Sequence, residues 1–273
     1  MINKLNKKSF FTTDDFRLDF RSDENFDPKL LNKHCHLSYE IYLFYEGDVN
    51  YIIESSSIPM HPYYLLVLKP SAYHYAQLLS SKLYKRNVIH FDQSLLTPEN
   101  NKKLLETPDI ISLTPEHPLV VFLESIAVLF NSLQYNEKVE LTKYVPTHIT
   151  HLITTFCNEA LITDNTTLPI ISKVVNYLNN NFKQPLNLDN LAEEMFFNKY
   201  YICHVFKKHM GISVIEYMRQ KRLLYAQSLI EKGVSATQAC EEAGFSNYTT
   251  FYRSYKQFFD KIPSTQKRNV PTQ

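Results

Sequence analysis

The sequence predicts an α+β protein in two parts, on three observations. Residues 186–268 form an imperfect tandem repeat in which each copy reads helix, short turn, helix. Residues 35–92 read as several short strands at even spacing. The charge changes sign between the two: residues 1–165 hold 15 Lys and Arg against 20 Asp and Glu, whereas residues 166–273 hold 14 against 8. A basic half that coincides with a helical repeat suits a phosphate backbone, because cationic side chains release its counterions.

In chain order, residues 1–30 are polar and charged, with aromatics at Phe10, Phe11, Phe16, Phe20 and Phe26. They read as a terminal arm or a first strand leading into Pro28. Positive charge at the start is not followed by the apolar run of a secretory leader. No stretch approaches the ~20 apolar residues of a membrane span. Cys35, Cys157, Cys203 and Cys240 show neither metal spacing nor a close pair. A reducing, cytoplasmic setting away from membranes is expected.

Tyr39 to Tyr45 is aromatic and β-branched, and Glu46, Gly47 and Asp48 predict a hairpin turn from which Val49 to Ile53 returns. Ser55, Ser56 and Ser57 turn again. Tyr63 to Leu68 is a buried strand ending at Pro70, and residues 72–79 and 83–91 flank a turn at Ser80 and Ser81. Such a run predicts a small barrel or sandwich. His34, His36 and Glu40, followed by Gly47, resemble the first metal-binding motif of cupin enzymes. The second motif is poor: Pro70-Ser71-Ala72-Tyr73-His74 lacks its glycine and has different spacing. The reading is therefore no metal and no cofactor, with the histidines structural or lining a ligand. Tyr39, Tyr42, Phe44, Tyr51, Tyr63, Tyr73 and Tyr75 are candidates for a pocket, but alternation turns only half of them inward. The candidate ligand-binding set is His34, His36, Tyr42, Tyr51 and His74. Lys69, Lys82, Lys85 and Arg86 are candidate partners for an acidic headgroup.

Residues 93–116 read as a loop-rich connector with Pro98, Pro108 and Pro115. From Pro118, Leu119, Phe122, Leu123, Ile126, Leu129, Phe130 and Leu133 lie at helical spacing. A second helix is expected from about Val139 to Leu161, kinked or started late by Pro146. Thr163 to Thr167 is a polar linker, and Pro169 opens the next helix at 169–183.

The repeat follows. Leu188, Leu191, Ala192 and Met195 share one helical face, and Ala236, Ala239, Cys240 and Ala243 repeat it 48 residues on. Phe197 answers Phe245 at 48, whereas Asn198 answers Asn247 at 49, so one residue is inserted at the second turn. Asn187 and Asn198 are expected caps in the first copy, and Gly211 is the stop. In the second copy Ser235 with Gln238 reads as a capping box, Gly244 breaks the helix, and Ser246 or Asn247 starts the next. Between the copies, Ser213 with Glu216 opens one long helix that stops at Gly233. Its roughly 20 residues span about 30 Å. Successive major grooves on one face of DNA lie ~34 Å apart.

The stretches GISVIEYMRQKRLLYAQSLI and ACEEAGFSNYTTFYRSYKQFFDKIP resemble the DNA-binding domain of the AraC/XylS regulators, over about residues 168–268. Departures are Phe196 and Asp260 where that family favours glycine, and Ala236 and Ala239 where it favours bulkier aliphatics. The resemblance implies a cupin-like sensor or ligand-binding domain at 1–116, a helical dimerisation region at 117–162, a linker at 163–168 and the DNA-binding domain at 169–273. It implies a transcription regulator, an activator rather than an enzyme. Its partners would be double-stranded DNA, RNA polymerase, a second copy in a homodimer and a small-molecule effector. Carried over by position, Lys199, Tyr200, Cys203, His204 and Lys207 on the first recognition helix face DNA. Tyr248, Thr249, Tyr252, Arg253 and Lys256 do so on the second, and Lys208 and Lys267 track the backbone. Arg253 is the strongest candidate for a guanine or a phosphate. Two rival readings are a cupin-type metal enzyme with a helical appendage and a ligand-free regulator controlled by a protein partner.

Overall fold

The computed structural model describes residues 9–23, 34–80, 83–156 and 169–264. The chain divides into two compact units, Met1–Thr166 and Thr167–Gln273. Pro28, Phe26, Lys82, Cys157, the linker at 163–168 and Lys267 lie outside the described residues.

The described residues of the first unit form nine strands in chain order: β1 (Ser9–Thr12), β2 (Phe16–Asp23), β3 (Tyr39–Glu46), β4 (Val49–Ile53), β5 (Ser56–Pro59), β6 (Tyr64–Leu68), β7 (His74–Leu78), β8 (Tyr84–Phe91) and β9 (Ile110–Ser112). They form a six-stranded sheet, β1-β2-β8-β3-β6-β9, and a three-stranded sheet, β5-β4-β7. The period of two along each strand builds two cores. Ile41, Leu43, Leu65, Val67, Ile89 and Phe91 face one side of the large sheet. Tyr42, Phe44, Leu66, Leu68 and Val88 face the other and meet Val49, Tyr51, Ile53, Ile58 and Met60 of the small sheet.

Helices cover the first of those faces. They are α1 (Pro98–Glu106), α2 (Pro118–Ser132), α3 (Tyr135–Thr142) and α4 (Val145–Phe156). Leu119, Leu123, Ile126 and Phe130 of α2 and Val145, Ile149 and Ile153 of α4 join Ile41 and Ile89 in one core.

Several local expectations change. Glu46, Gly47 and Asp48 do not close a hairpin: β3 pairs with β6 and β8, and β4 pairs with β5 and β7, so the chain passes there from one sheet to the other. The turn near Ser80 does the same between β7 and β8. A hairpin does form next, at β4–β5, turned at Glu54 and Ser55 with Glu54 left-handed at φ 51°. The connector at 93–116 holds a 3-10 turn, α1 capped by Thr97, and β9 on the sheet edge beside β6. The helix expected over 139–161 is divided, and Pro146 sits in the first turn of α4, where a missing N–H costs nothing.

The described residues of the second unit form helices alone: α5 (Pro169–Asn181), α6 (Leu188–Met195), α7 (Lys199–Met210), α8 (Val214–Glu231), α9 (Ala236–Glu242) and α10 (Tyr248–Phe259). The N-cap residues are those the sequence predicts, but the two boxes do not close: the Glu216 carboxylate turns to Arg219 and Gln220, and Gln238 Oε1 accepts from the Ser235 hydroxyl. Asn187, Asn198, Ser213, Ser235 and Asn247 accept from first-turn amides, and Gly211 closes α7 at φ 75°. The 18 residues of α8 span about 27 Å. Its first half buries Val214, Tyr217 and Met218, with Phe206 of α7 edge-on to Tyr217 at 5.6 Å. Its second half buries Leu223, Ala226, Leu229 and Ile230 among the residues of α9 and α10. Beside the small residues of α9, Phe251 and Tyr255 of α10 are buried, and Phe245, Phe258 and Phe259 pack around them.

Candidate nucleic-acid interface and the cavity of the first unit

Both candidate recognition helices start at an asparagine cap. The Asn198 side chain accepts from the Tyr200 amide at 2.8 Å, and that of Asn247 accepts from the Thr250 amide at 3.0 Å. Burial then separates the faces of each helix. On α7, Ile202, Phe206 and Met210 are buried, with Val205 half-buried. Tyr200, His204, Lys207 and Lys208 are exposed, and Cys203 is half-buried. On α10, Phe251, Ser254 and Tyr255 are buried, whereas Tyr248, Thr249, Tyr252, Arg253 and Lys256 are exposed. Lys199 is not simply outward: its Nζ pairs with Asp189 Oδ1 of α6 at 2.7 Å.

Two features of the turns escaped sequence reasoning. Phe196 is left-handed at φ 58° and 93% exposed, and next to it Phe197 stacks on Tyr201 at 5.4 Å, also exposed. Together with Tyr200 they make an exposed aromatic group where α6 meets α7. In the second copy the equivalent residue, Gly244 (φ 81°), lies against Lys183 beyond the end of α5. A Cβ on it would stand 2.2 Å from the Lys183 carbonyl oxygen. The turn of the second helix pair therefore meets the α5–α6 connection through backbone. Arg222 of α8 strengthens that frame, donating to the carbonyls of Phe182 and Gln184 at 2.6 Å each. Asp260, the second departure from glycine, is also left-handed, at φ 53°.

In the first unit a cavity of ≈ 410 Å³ opens between the two sheets. Tyr42, Tyr51 and Tyr75 line it, whereas Tyr39 points to the helical side and donates to Asn101 Oδ1 at 2.8 Å. Phe44 is core, Tyr73 is buried and Tyr63 is half-buried. The Tyr42 and Tyr84 hydroxyls meet at 2.6 Å, and the Tyr42 and Tyr51 rings lie 4.9 Å apart. Of the suggested cations, Arg86 lines the cavity, stacked over Tyr84 at 4.0 Å and paired with Asp23 at 3.0 Å. Lys69 is instead paired with Asp109, and Lys85 lies over the Tyr45 ring. Arg17, overlooked in the sequence, also lines the cavity.

One wall of the cavity is a buried polar cluster. Glu40 Oε2 lies 3.1 Å from His36 Nε2, 3.1 Å from His74 Nε2 and 3.7 Å from His90 Nδ1. The Tyr51 hydroxyl donates to Glu40 Oε1 at 3.4 Å. His34 joins through a backbone bridge, its amide to the His74 carbonyl at 3.2 Å and the His74 amide to its own carbonyl at 2.9 Å. Burial would raise the Glu40 carboxyl, but the charges of His90 and His74 and hydrogen bonds from His36 and His74 hold it well below the usual carboxylate range. Burial would lower His74, and the Glu40 carboxylate and the Ala72 carbonyl raise it instead. Burial depresses His90 to about 4, helped by His36, Arg17 and His74. The cluster gathers His34, His36 and His74 although the spacing of the second motif does not foretell it. His90, on β8, was missed because its only sequence signal is an isolated histidine in a strand.

A helix-turn-helix domain family matches residues 191–269. Over 100 residues the chain is 29% identical to the multiple antibiotic resistance protein MarA of Escherichia coli, covering 36% of this chain and 79% of that protein. It is 30% identical over 105 residues to the uncharacterized HTH-type transcriptional regulator YtdP of Bacillus subtilis, covering 37% of this chain and 14% of that one. Among solved structures, a probable AraC family transcriptional regulator from Rhodopseudomonas palustris is 26% identical at TM-score 0.34, over 36% of this chain and 93% of its own. ToxT from Vibrio cholerae is 16% identical at TM-score 0.39, over 92% of this chain and 97% of its own. The family match runs from within α6 through α10, the helices that carry both exposed candidate faces. The chain is a DNA-binding transcription regulator whose C-terminal unit is a helix-turn-helix domain of the AraC type.

Proposed function

We propose that this regulator reads two adjacent half-sites on DNA and is controlled by a small molecule held in the cavity of its first unit. Tyr200, Cys203 and His204 face bases in one half-site, and Tyr248, Thr249, Tyr252 and Arg253 in the other. Lys207, Lys208 and Lys256 hold phosphates. Lys199 belongs to the phosphate set only when it leaves Asp189. The observation that carries the DNA reading is that the cap, burial and exposure pattern is the same on α7 and α10, 49 residues apart.

The control reading rests on the cavity. Its tyrosine hydroxyls, Arg17 and Arg86 give an effector with polar groups both orientation and affinity. The occupant acts by binding one arrangement of the regulator better than another. A second copy docks on α2, where Val121, Val128 and Leu129 are exposed on one face. The reading is an activator that also contacts RNA polymerase, working in the cytoplasm and without catalysis. No described helix is long and apolar enough to cross a membrane. Native mass spectrometry of the full chain tests control and assembly together. A dimer carrying a discrete organic mass supports both, and a bare monomer that binds DNA as tightly with as without cell extract small molecules overturns them.

A further inference from the structure

The cluster around Glu40 brings three histidine nitrogens to one carboxylate oxygen. His36 Nδ1 lies 2.9 Å from the Ser38 carbonyl oxygen, and His74 Nδ1 lies 2.9 Å from the Ala72 carbonyl oxygen. A carbonyl only accepts, so both Nδ1 atoms donate. The Ser38 hydroxyl, 3.1 Å from His36 Nδ1, then accepts from the same proton. In a neutral imidazole the other nitrogen then presents a lone pair. Both of those lone pairs converge on Glu40 Oε2 at 3.1 Å. With both rings neutral, three electron-rich atoms face one another, and either a second ring proton on each histidine or a metal cation between them balances the site.

The spacing suits a metal ion. Two ligand atoms each about 2.1 Å from one ion stand about 3.0–3.4 Å apart when adjacent and at most about 4.2 Å apart. The four ligand atoms of His34, His36, Glu40 and His74 lie within 4.8 Å of one another, so a ring shift of about half an ångström closes the set. The surroundings are also those that ligands need: each donating Nδ1–H is held by a carbonyl, and Tyr51 holds the outer carboxylate oxygen. The backbone bridge between His34 and His74 fixes two of the ligands to each other.

We propose that His34, His36, Glu40 and His74 bind a divalent first-row transition metal. Three imidazoles and one carboxylate favour such an ion over calcium or magnesium, which take mostly oxygen. Glu40 and His34 also line the cavity, so a remaining coordination position faces the space assigned above to the effector. That last point rests on the effector reading; the metal site itself does not. The sequence-based expectation of no metal followed from the spacing of the segment ending in His74, but β7 carries His74 to Glu40 regardless.

The test is titration of the chelator-treated full chain with cobalt(II), read by its visible absorption and displaced by zinc(II), with folding followed by circular dichroism. The expected result is one cobalt per chain with the spectrum of nitrogen and oxygen ligation. It should weaken about 100-fold or more in His36→Ala and in the near-isosteric Glu40→Gln, while His61→Ala, on another part of the unit, leaves it unchanged. No cobalt or zinc binding by the folded wild-type chain overturns the proposal, and assigns the cationic role to ring protons. Stoichiometric binding that survives both His36→Ala and Glu40→Gln overturns it too, because the metal then sits elsewhere. Neither result depends on an effector or on DNA.

Discussion

The two helix pairs of the second unit descend from one pattern and solve the same turn with opposite residues. After α6 the left-handed position is Phe196, a bulky side chain pointing into solvent; after α9 it is Gly244, pressed on the Lys183 backbone. A left-handed residue costs a non-glycine about 1–2 kcal/mol, which the first turn bears with its side chain almost wholly in solvent. The second turn has no such freedom. The comparison teaches that glycine is obligatory at the second turn because of a neighbour, and only preferred at the first because of its dihedral angle.

Substitutions can break or sharpen this contrast. Gly244→Ala has the largest expected effect, a loss of about 2–4 kcal/mol in urea unfolding, since either the Lys183 carbonyl or the turn must move. Phe196→Ala at the equivalent position should stay within about 0.5 kcal/mol of wild type. Next comes the binding face. Arg253→Ala should cost about 1–3 kcal/mol in affinity for a selected DNA site, measured by fluorescence anisotropy, and its repeat-mate His204→Ala should cost less. The caps should behave alike: Asn198→Ala and Asn247→Ala are each expected to lose about 1 kcal/mol of stability, because each removes one amide partner. One substitution should be a gain. Phe196→Gly should stabilise by about 0.5–1 kcal/mol, the relief of the left-handed angle being partly offset by the freer unfolded chain.

What could be read from the residues was what local chemistry decides. Asn198 and Asn247 cap, Gly211 stops, and Phe251 and Tyr255 turn inward because a helix places them so. What could not be read depends on segments distant in sequence. Strand spacing located β3 and β4, but membership of a sheet is set by the partner across the ladder, so the turn at Gly47 was read as a hairpin when it crosses between sheets. The proline-rich run at 93–116 hid α1 and β9, the latter a three-residue strand paired with β6. The candidate site split in the same way. Exposed positions on α7 and α10 followed from periodicity, whereas the pairing of Lys199 with Asp189 and the approach of His90 and His74 to Glu40 are tertiary events.

The central claim is that both recognition faces read DNA from one chain. Selection of binding sites from a random duplex pool by the full-length protein, repeated with Arg253→Ala, tests it most directly. The account predicts a two-part motif with half-site centres about 10 base pairs apart, in which Arg253→Ala relaxes one half and leaves the other intact. Enrichment of a single half-site that Arg253→Ala does not alter, or no enrichment at all, would contradict it.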